Sequence, residues 1–162
     1  MIRLYTDGSY SPEDHVGAWS WVLVGDVLET EFVVDADAGV IFADTTPQRV
    51  EIEAVLQGLR ALPDDIGVLV LCDSANIVQA MSEHLWAYWA THKWYGASYH
   101  AISYPELWEQ LVAEAERVGA DFEWVHAHNG MQGDPWNIEA DHLARDTRKT
   151  AQLLQQSLQS LE

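Results

Sequence analysis

The chain predicts a mixed α/β sheet of five strands, an antiparallel three-strand meander plus two parallel strands, with helices on both faces. Three observations predict it. Residues 1–34 carry three strand patterns in succession with only turn signals between them. Val68-Leu69-Val70-Leu71-Cys72 is a continuous apolar run of strand length, the mark of a strand covered on both faces at the centre of a sheet. Helical patterns link that run to the strands before and after it, the order expected of a sheet layered with helices.

In chain order, Ile2, Leu4 and Thr6 alternate with Arg3 and Tyr5 as a short strand ending in Asp7-Gly8-Ser9. Ser11-Pro12-Glu13-Asp14 is a turn, and residues 16–24 form a long strand. Gly25-Asp26 fits a hairpin turn, with residues 27–34 returning antiparallel and Asp35 to Asp44 left as an acidic, Ala-rich loop. Thr46-Pro47 reads as an N-cap followed by proline at the first helical position, opening a helix to about Leu62 that Pro63-Asp64-Asp65 stops. After the central strand, helix is expected from Ile77 to Met81, with a second short one through Trp89. His92-Lys93-Trp94-Tyr95-Gly96 is an aromatic loop, and Pro105 opens a helix to about Val118, capped by Gly119. Asp121 to His126 alternates as the last strand, residues 128–133 form a loop, and Asp134-Pro135 starts the final helix.

With 162 residues the chain fits one domain, able to bury about two-thirds of its unfolded surface. It has no apolar run of about 18 residues, so no membrane partner is expected. The N-terminus opens on a strand without signal-peptide features, and the lone Cys72 cannot form an internal disulfide; both point to the cytoplasm. The net charge of −18, with Lys93 and Lys149 the only lysines, argues against a nucleic-acid partner unless metal ions and a few local cations carry the contact.

The acids supply that condition. Asp7 and Asp73 each end an apolar strand, where a carboxylate is costly unless a cation or hydrogen bonds meet it. An Asp-Gly-Ser triplet is alone an ordinary turn, and Asp73 could cap the helix after it. Glu51 shares a helical stripe with Val55, Leu59 and Leu62, the face that should meet the sheet, while Glu53 lies opposite with Arg49, Gln57 and Arg60. The last helix offers Glu139, Asp141 and Asp146, and position alone does not choose among them. Converging carboxylates repel unless cations sit between them, and hard oxygen ligands suit Mg²⁺ or Mn²⁺.

Tyr5-Thr6-Asp7-Gly8-Ser9, Arg49-Val50-Glu51, Cys72-Asp73-Ser74 and the segment Asn137 to Arg145 resemble, in order and spacing, the four acid motifs of type 1 ribonuclease H. Glu123 to Gly130 resembles the strand and loop carrying that family's histidine. The likeness spans residues 1–146, with 147–162 as a helical extension packed on the same domain and able to mediate self-association through Leu153, Leu154, Leu158 and Leu161; no obligate protein partner is evident. The resemblance implies a ribonuclease H-like fold. It implies that Asp7, Glu51, Asp73 and Asp141 ligate two Mg²⁺ ions, for which Mn²⁺ can substitute, and that the RNA strand of an RNA/DNA hybrid is hydrolysed to 5′-phosphate and 3′-hydroxyl ends. His128 matches the histidine that assists proton transfer or product release; His126 is a rival, which the alternation keeps in the strand.

Gly8 and Ser9 would then approach RNA 2′-hydroxyls. Thr46 matches the threonine of the family's phosphate pocket, and Gln48, Arg49, Ser74, Trp89 and Trp94 complete the expected substrate contacts. The chain departs from the family at Pro47-Gln48, where two asparagines are usual, and at the acidic turn Ser11 to Asp14. It departs again where Trp86-Ala87-Tyr88-Trp89 and His92 to Tyr95 replace a lysine-rich protrusion. The alternatives are a nuclease of this fold with another nucleic-acid substrate, or a non-catalytic binding domain.

Overall fold

A computed structural model of the chain describes residues 1–42, 45–126 and 133–161. The strands are β1 (Ile2–Ser11), β2 (Val16–Val27), β3 (Thr30–Phe42), β4 (Val68–Cys72) and β5 (Ala120–Trp124). The helices are α1 (Pro47–Arg60), α2 (Ala75–Ser82), α3 (Leu85–Thr91), α4 (Pro105–Val118) and α5 (Pro135–Gln159). The sheet order is β3-β2-β1-β4-β5, antiparallel across the meander and parallel from β1 to β4 and from β4 to β5. This is the mixed five-stranded sheet expected from the sequence.

Helices cover both faces. On one, Ile52, Val55 and Leu59 of α1 and Trp108, Leu111 and Val118 of α4 pack with Leu4, Trp21, Val68 and Val70 of the sheet. Each such fully buried side chain contributes about 1.5–3 kcal/mol. On the other, Ala140 of α5, flanked by Trp136 and Leu143, meets Tyr5, Val22, Val24 and Leu71. Val55 and Leu59 of α1, with Leu62 just past its end at Arg60, do face the core, and Glu53 is bound instead by Gln57, one turn on, at 3.2 Å.

Three boundaries within the meander differ from the sequence reading. β1 does not end at Asp7: its parallel pairing with β4 stops at the pair Thr6–Cys72, whereas its antiparallel pairing with β2 continues to Ser11. The hairpin turns at Leu28-Glu29, not Gly25-Asp26, with both residues at positive φ (50° and 64°); two left-handed residues match the twist of a tight hairpin. Residues 35–42 are strand, not loop. β3 is an edge strand exposed along most of its length, so it shows no apolar alternation and its Asp-Ala repeats read as a loop. Asp35 and Asp37 also accept the N–H groups of Ala36 and Ala38 at 2.8 Å.

β5 ends at Trp124, so His126 falls outside the strand, its ring 4.2 Å from that of Trp124. α5 is one helix from Pro135 to Gln159. Ala151 is buried against the body, while Leu153, Leu154 and Leu158 are 64%, 61% and 66% exposed. No helix among the described residues is long and apolar enough to cross a membrane.

Candidate active site

The end of the β1–β4 pairing builds the site. Beyond Thr6–Cys72 the next residues of two parallel neighbours, Asp7 and Asp73, emerge side by side where the parallel pairing stops, at the carboxyl end of β4 and midway along β1. α1 is then drawn close across Gly8: a Cβ there would lie 2.8 Å from Val50 Cγ2 and 3.1 Å from both the amide nitrogen and Oε1 of Glu51. Only glycine permits that approach. Carboxylate oxygens of Asp7, Glu51 and Asp73 consequently lie within 4.8 Å of one another.

The fourth acid arrives from the opposite face. Ser20 of β2, the partner of Asp7 in the register, is fully buried and donates its hydroxyl to the carbonyl of Ala140 at 2.6 Å. That bond fixes the turn of α5 that carries Asp141, whose charge and side-chain hydrogen bond reach Asp7 and whose charge also reaches Asp73. Arg145, one turn further, holds Asp141 Oδ2 at 2.7 Å, which leaves Asp141 outside the close triad. The start of α5 is itself anchored by Tyr5, donating to Asp134 at 3.1 Å, and by Trp136, donating to Glu31 at 2.7 Å.

Crowded carboxylates hold their protons. Burial, then the charges of Asp73 and Asp141, push Asp7 up to about 8. Burial followed by the charges of Asp7 and Asp73 raises Glu51 well above the usual carboxylate range, and burial followed by Asp141 raises Asp73. Glu51 Oε2 is buried with no hydrogen-bond partner. An orphaned carboxyl oxygen beside two further hard oxygen donors fits a divalent cation, which would satisfy the atom and stabilise the ionised forms of the three acids. The group could hold a metal ion.

The expected substrate residues divide. Gln48 and Trp89 line one cleft of about 350 Å³ together with Asn76, Gln79 and Ser103, amide and hydroxyl groups suited to sugars and base edges. Trp89 also packs edge-on against Trp108 at 5.3 Å, so it serves core and cleft at once. Trp94 does not line that cleft. It packs against the core, its backbone N–H donating to the Trp89 carbonyl at 2.8 Å. Thr46 caps α1 through the Arg49 amide (3.2 Å) and meets the hydroxyl of Tyr104 at 2.8 Å; Arg49 is half-buried beside it. Ser74 caps α2, accepting from the Ile77 amide at 3.4 Å. Gly8 and Ser9 adjoin Asp7 on β1. His128 lies outside the described residues. Ser20 and Tyr104 were missed. A serine between Trp19 and Trp21 reads as an outward polar position, and only the two-sided covering of β2 turns it inward.

A profile of the RNase H family matches residues 1–149. The ribonuclease H of Bordetella avium is 33% identical over 145 residues, covering 89% of this chain and 88% of its own. That of an Acidovorax species is 34% identical over 144 residues, covering 89% and 92%. Among solved structures, a type 1 RNase H with the type 2 active-site motif superposes with a TM-score of 0.76 at 22% identity, over 92% of this chain and 72% of that one. A foamy viral protease-reverse transcriptase in complex with an RNA/DNA hybrid superposes at 0.71 and 20% identity, over 92% and 20%. With the profile spanning all four acid-bearing elements, the chain belongs to the RNase H family.

Proposed function

We propose that this RNase H acts as an endonuclease on the RNA strand of RNA/DNA hybrids, leaving 5′-phosphate and 3′-hydroxyl ends, with Asp7, Glu51, Asp73 and Asp141 as ligands of two Mg²⁺ ions that Mn²⁺ can replace. The observation that carries the reading is the convergence of Asp7, Glu51 and Asp73 with Glu51 Oε2 left unpartnered. Bound ions would polarise the scissile phosphate and stabilise the attacking and leaving oxygens.

The chain's own part is positioning. Gly8 brings Glu51 to β1, and the Ser20–Ala140 bond holds α5 so that Asp141 faces the triad. In this reading His128 moves a proton or clears product. Gly8, Ser9, Thr46, Gln48, Arg49, Ser74 and Trp89 hold the hybrid, the nucleic acid in the foamy viral complex, while Trp94, expected beside them, packs against the core. Residues 1–146 form the catalytic domain and 147–162 a helical extension, whose exposed leucines are available for self-association. The protein works in the cytoplasm.

The test is cleavage of an end-labelled RNA/DNA hybrid in Mg²⁺ or Mn²⁺, beside single-stranded RNA, duplex RNA and DNA. Cutting confined to the RNA of the hybrid is expected. Asp73→Asn should lower it by more than the ~10²-fold typical of losing a group behind a metal ligand. Cutting of another substrate, or full activity in Asp73→Asn, would overturn the reading.

A further inference from the structure

The chain meets a polyanion with a net charge of −18, and half of its six arginines are committed to its own acids. Arg3 pairs with Glu31, Arg117 with Asp64 and Glu114, and Arg145 with Asp141. Arg148 is different. It lies on α5 two turns past Asp141, on the same face. Its Nε donates to Ser9 Oγ at 2.7 Å and its Nη1 to Gln152 Oε1 at 2.8 Å. Both partners are neutral, and among the described residues Arg148 makes no ion pair and its Nη2 no hydrogen bond. Gln152 also bonds Asp14, so the acid of the neighbouring turn is satisfied through the amide and not by the guanidinium.

We propose that Arg148 binds a backbone phosphate of the substrate about two nucleotides from the one held at the acids, an inference that rests on the nuclease reading above. Asp7 and Ser9 share one face of β1 about 7 Å apart. That is on the order of two nucleotides' rise, ~3.4 Å each, along a duplex strand. A nucleic acid whose phosphate sits at Asp7 therefore carries another phosphate past Ser9, where the open edge of the guanidinium waits. The fork geometry suits a phosphate. Two existing hydrogen bonds hold the side chain in place, so binding immobilises little that is not already ordered. Unlike a flexible lysine protrusion, this is a single fixed cation, supplied where the rest of the surface repels.

The same bonds could serve only as a strut tying α5 to β1, and the experiment separates the two. Hybrid cleavage is measured for the wild type, Arg148→Met and Arg148→Lys across a KCl series in Mg²⁺, with thermal denaturation of each. Arg148→Met should raise KM about tenfold, the scale of one charge-assisted hydrogen bond, with kcat within about twofold. It should also flatten the plot of log(kcat/KM) against log[KCl] by about one unit of slope, which Arg148→Lys restores. Wild-type KM and slope in Arg148→Met would overturn the inference while leaving the nuclease reading intact. So would a joint fall of kcat and Tm in both variants at unchanged slope, the signature of a strut. A wild type that leaves the hybrid uncut would overturn the nuclease reading and this inference with it.

Discussion

Asp7 is the residue on which the site's acid–base behaviour turns. In the unfolded chain an aspartate titrates near 3.9, whereas in the metal-free fold burial and its acidic neighbours hold Asp7 protonated up to about 8. Between those values the folded state binds more protons than the unfolded one, so stability falls as pH rises. Glu51 and Asp73 shift in the same direction and add to the effect. The Tm measured in EDTA should therefore drop from pH 5 to pH 8, Mg²⁺ should reduce the drop, and Asp7→Asn should flatten it; a pH-independent Tm in EDTA would contradict this origin. At this scale the sequence was legible where a residue broke its own element's rule. Asp7 follows the alternation of Ile2, Leu4 and Thr6, Asp73 follows the apolar run of β4, and Glu51 stands on a packing stripe, so all three announce themselves. Asp141 broke no rule on a helix with acids on several faces, and only the family motif singled it out. Ser20 and Arg148 were illegible because each is defined by a partner more than 100 residues away, Ala140 and Ser9.

At the scale of elements, the site is a junction of three supports: a parallel strand pair, a helix admitted by glycine, and a second helix pinned by one hydroxyl. The last is the most exposed to a single change. Ser20→Ala removes the 2.6 Å bond to Ala140 and should destabilise the fold by about 0.5–1.5 kcal/mol in urea denaturation. Because the freed turn carries Asp141, kcat should fall severalfold while KM for the hybrid stays near the wild-type value. Unchanged kcat would show that α5 is held there by packing alone. Element types were readable from period and capping: Thr46-Pro47 and Asp134-Pro135 each start a helix where they should, and Gly119 ends one with φ of 72°. The failures cluster at the meander's edge. β3 pairs on one side only and is exposed along most of its length, so its strand character comes from backbone bonds to β2, which no side-chain pattern reports.

For the molecule as a whole, the same edge has a further consequence. A strand of 13 residues with one open side is a template on which a second chain could add itself, and Phe32, Val33 and Val34 stand exposed along it. What guards it is chemical and local: Asp35 and Asp37 fold their carboxylates back onto the N–H groups of Ala36 and Ala38, occupying donors that another strand would need. Around them the net charge of −18 keeps copies apart at neutral pH, and that protection fades toward the isoelectric point of about 4.4. Light scattering should accordingly rise as the pH is lowered toward 4.4, and Asp35→Ala/Asp37→Ala should move the onset upward; an onset unaffected by the double substitution would place the sticky surface elsewhere. The acidity that hinders this enzyme's grip on nucleic acid is then also its colloidal defence, and engineering tighter substrate binding by adding lysines along β3 would trade one solubility device for another.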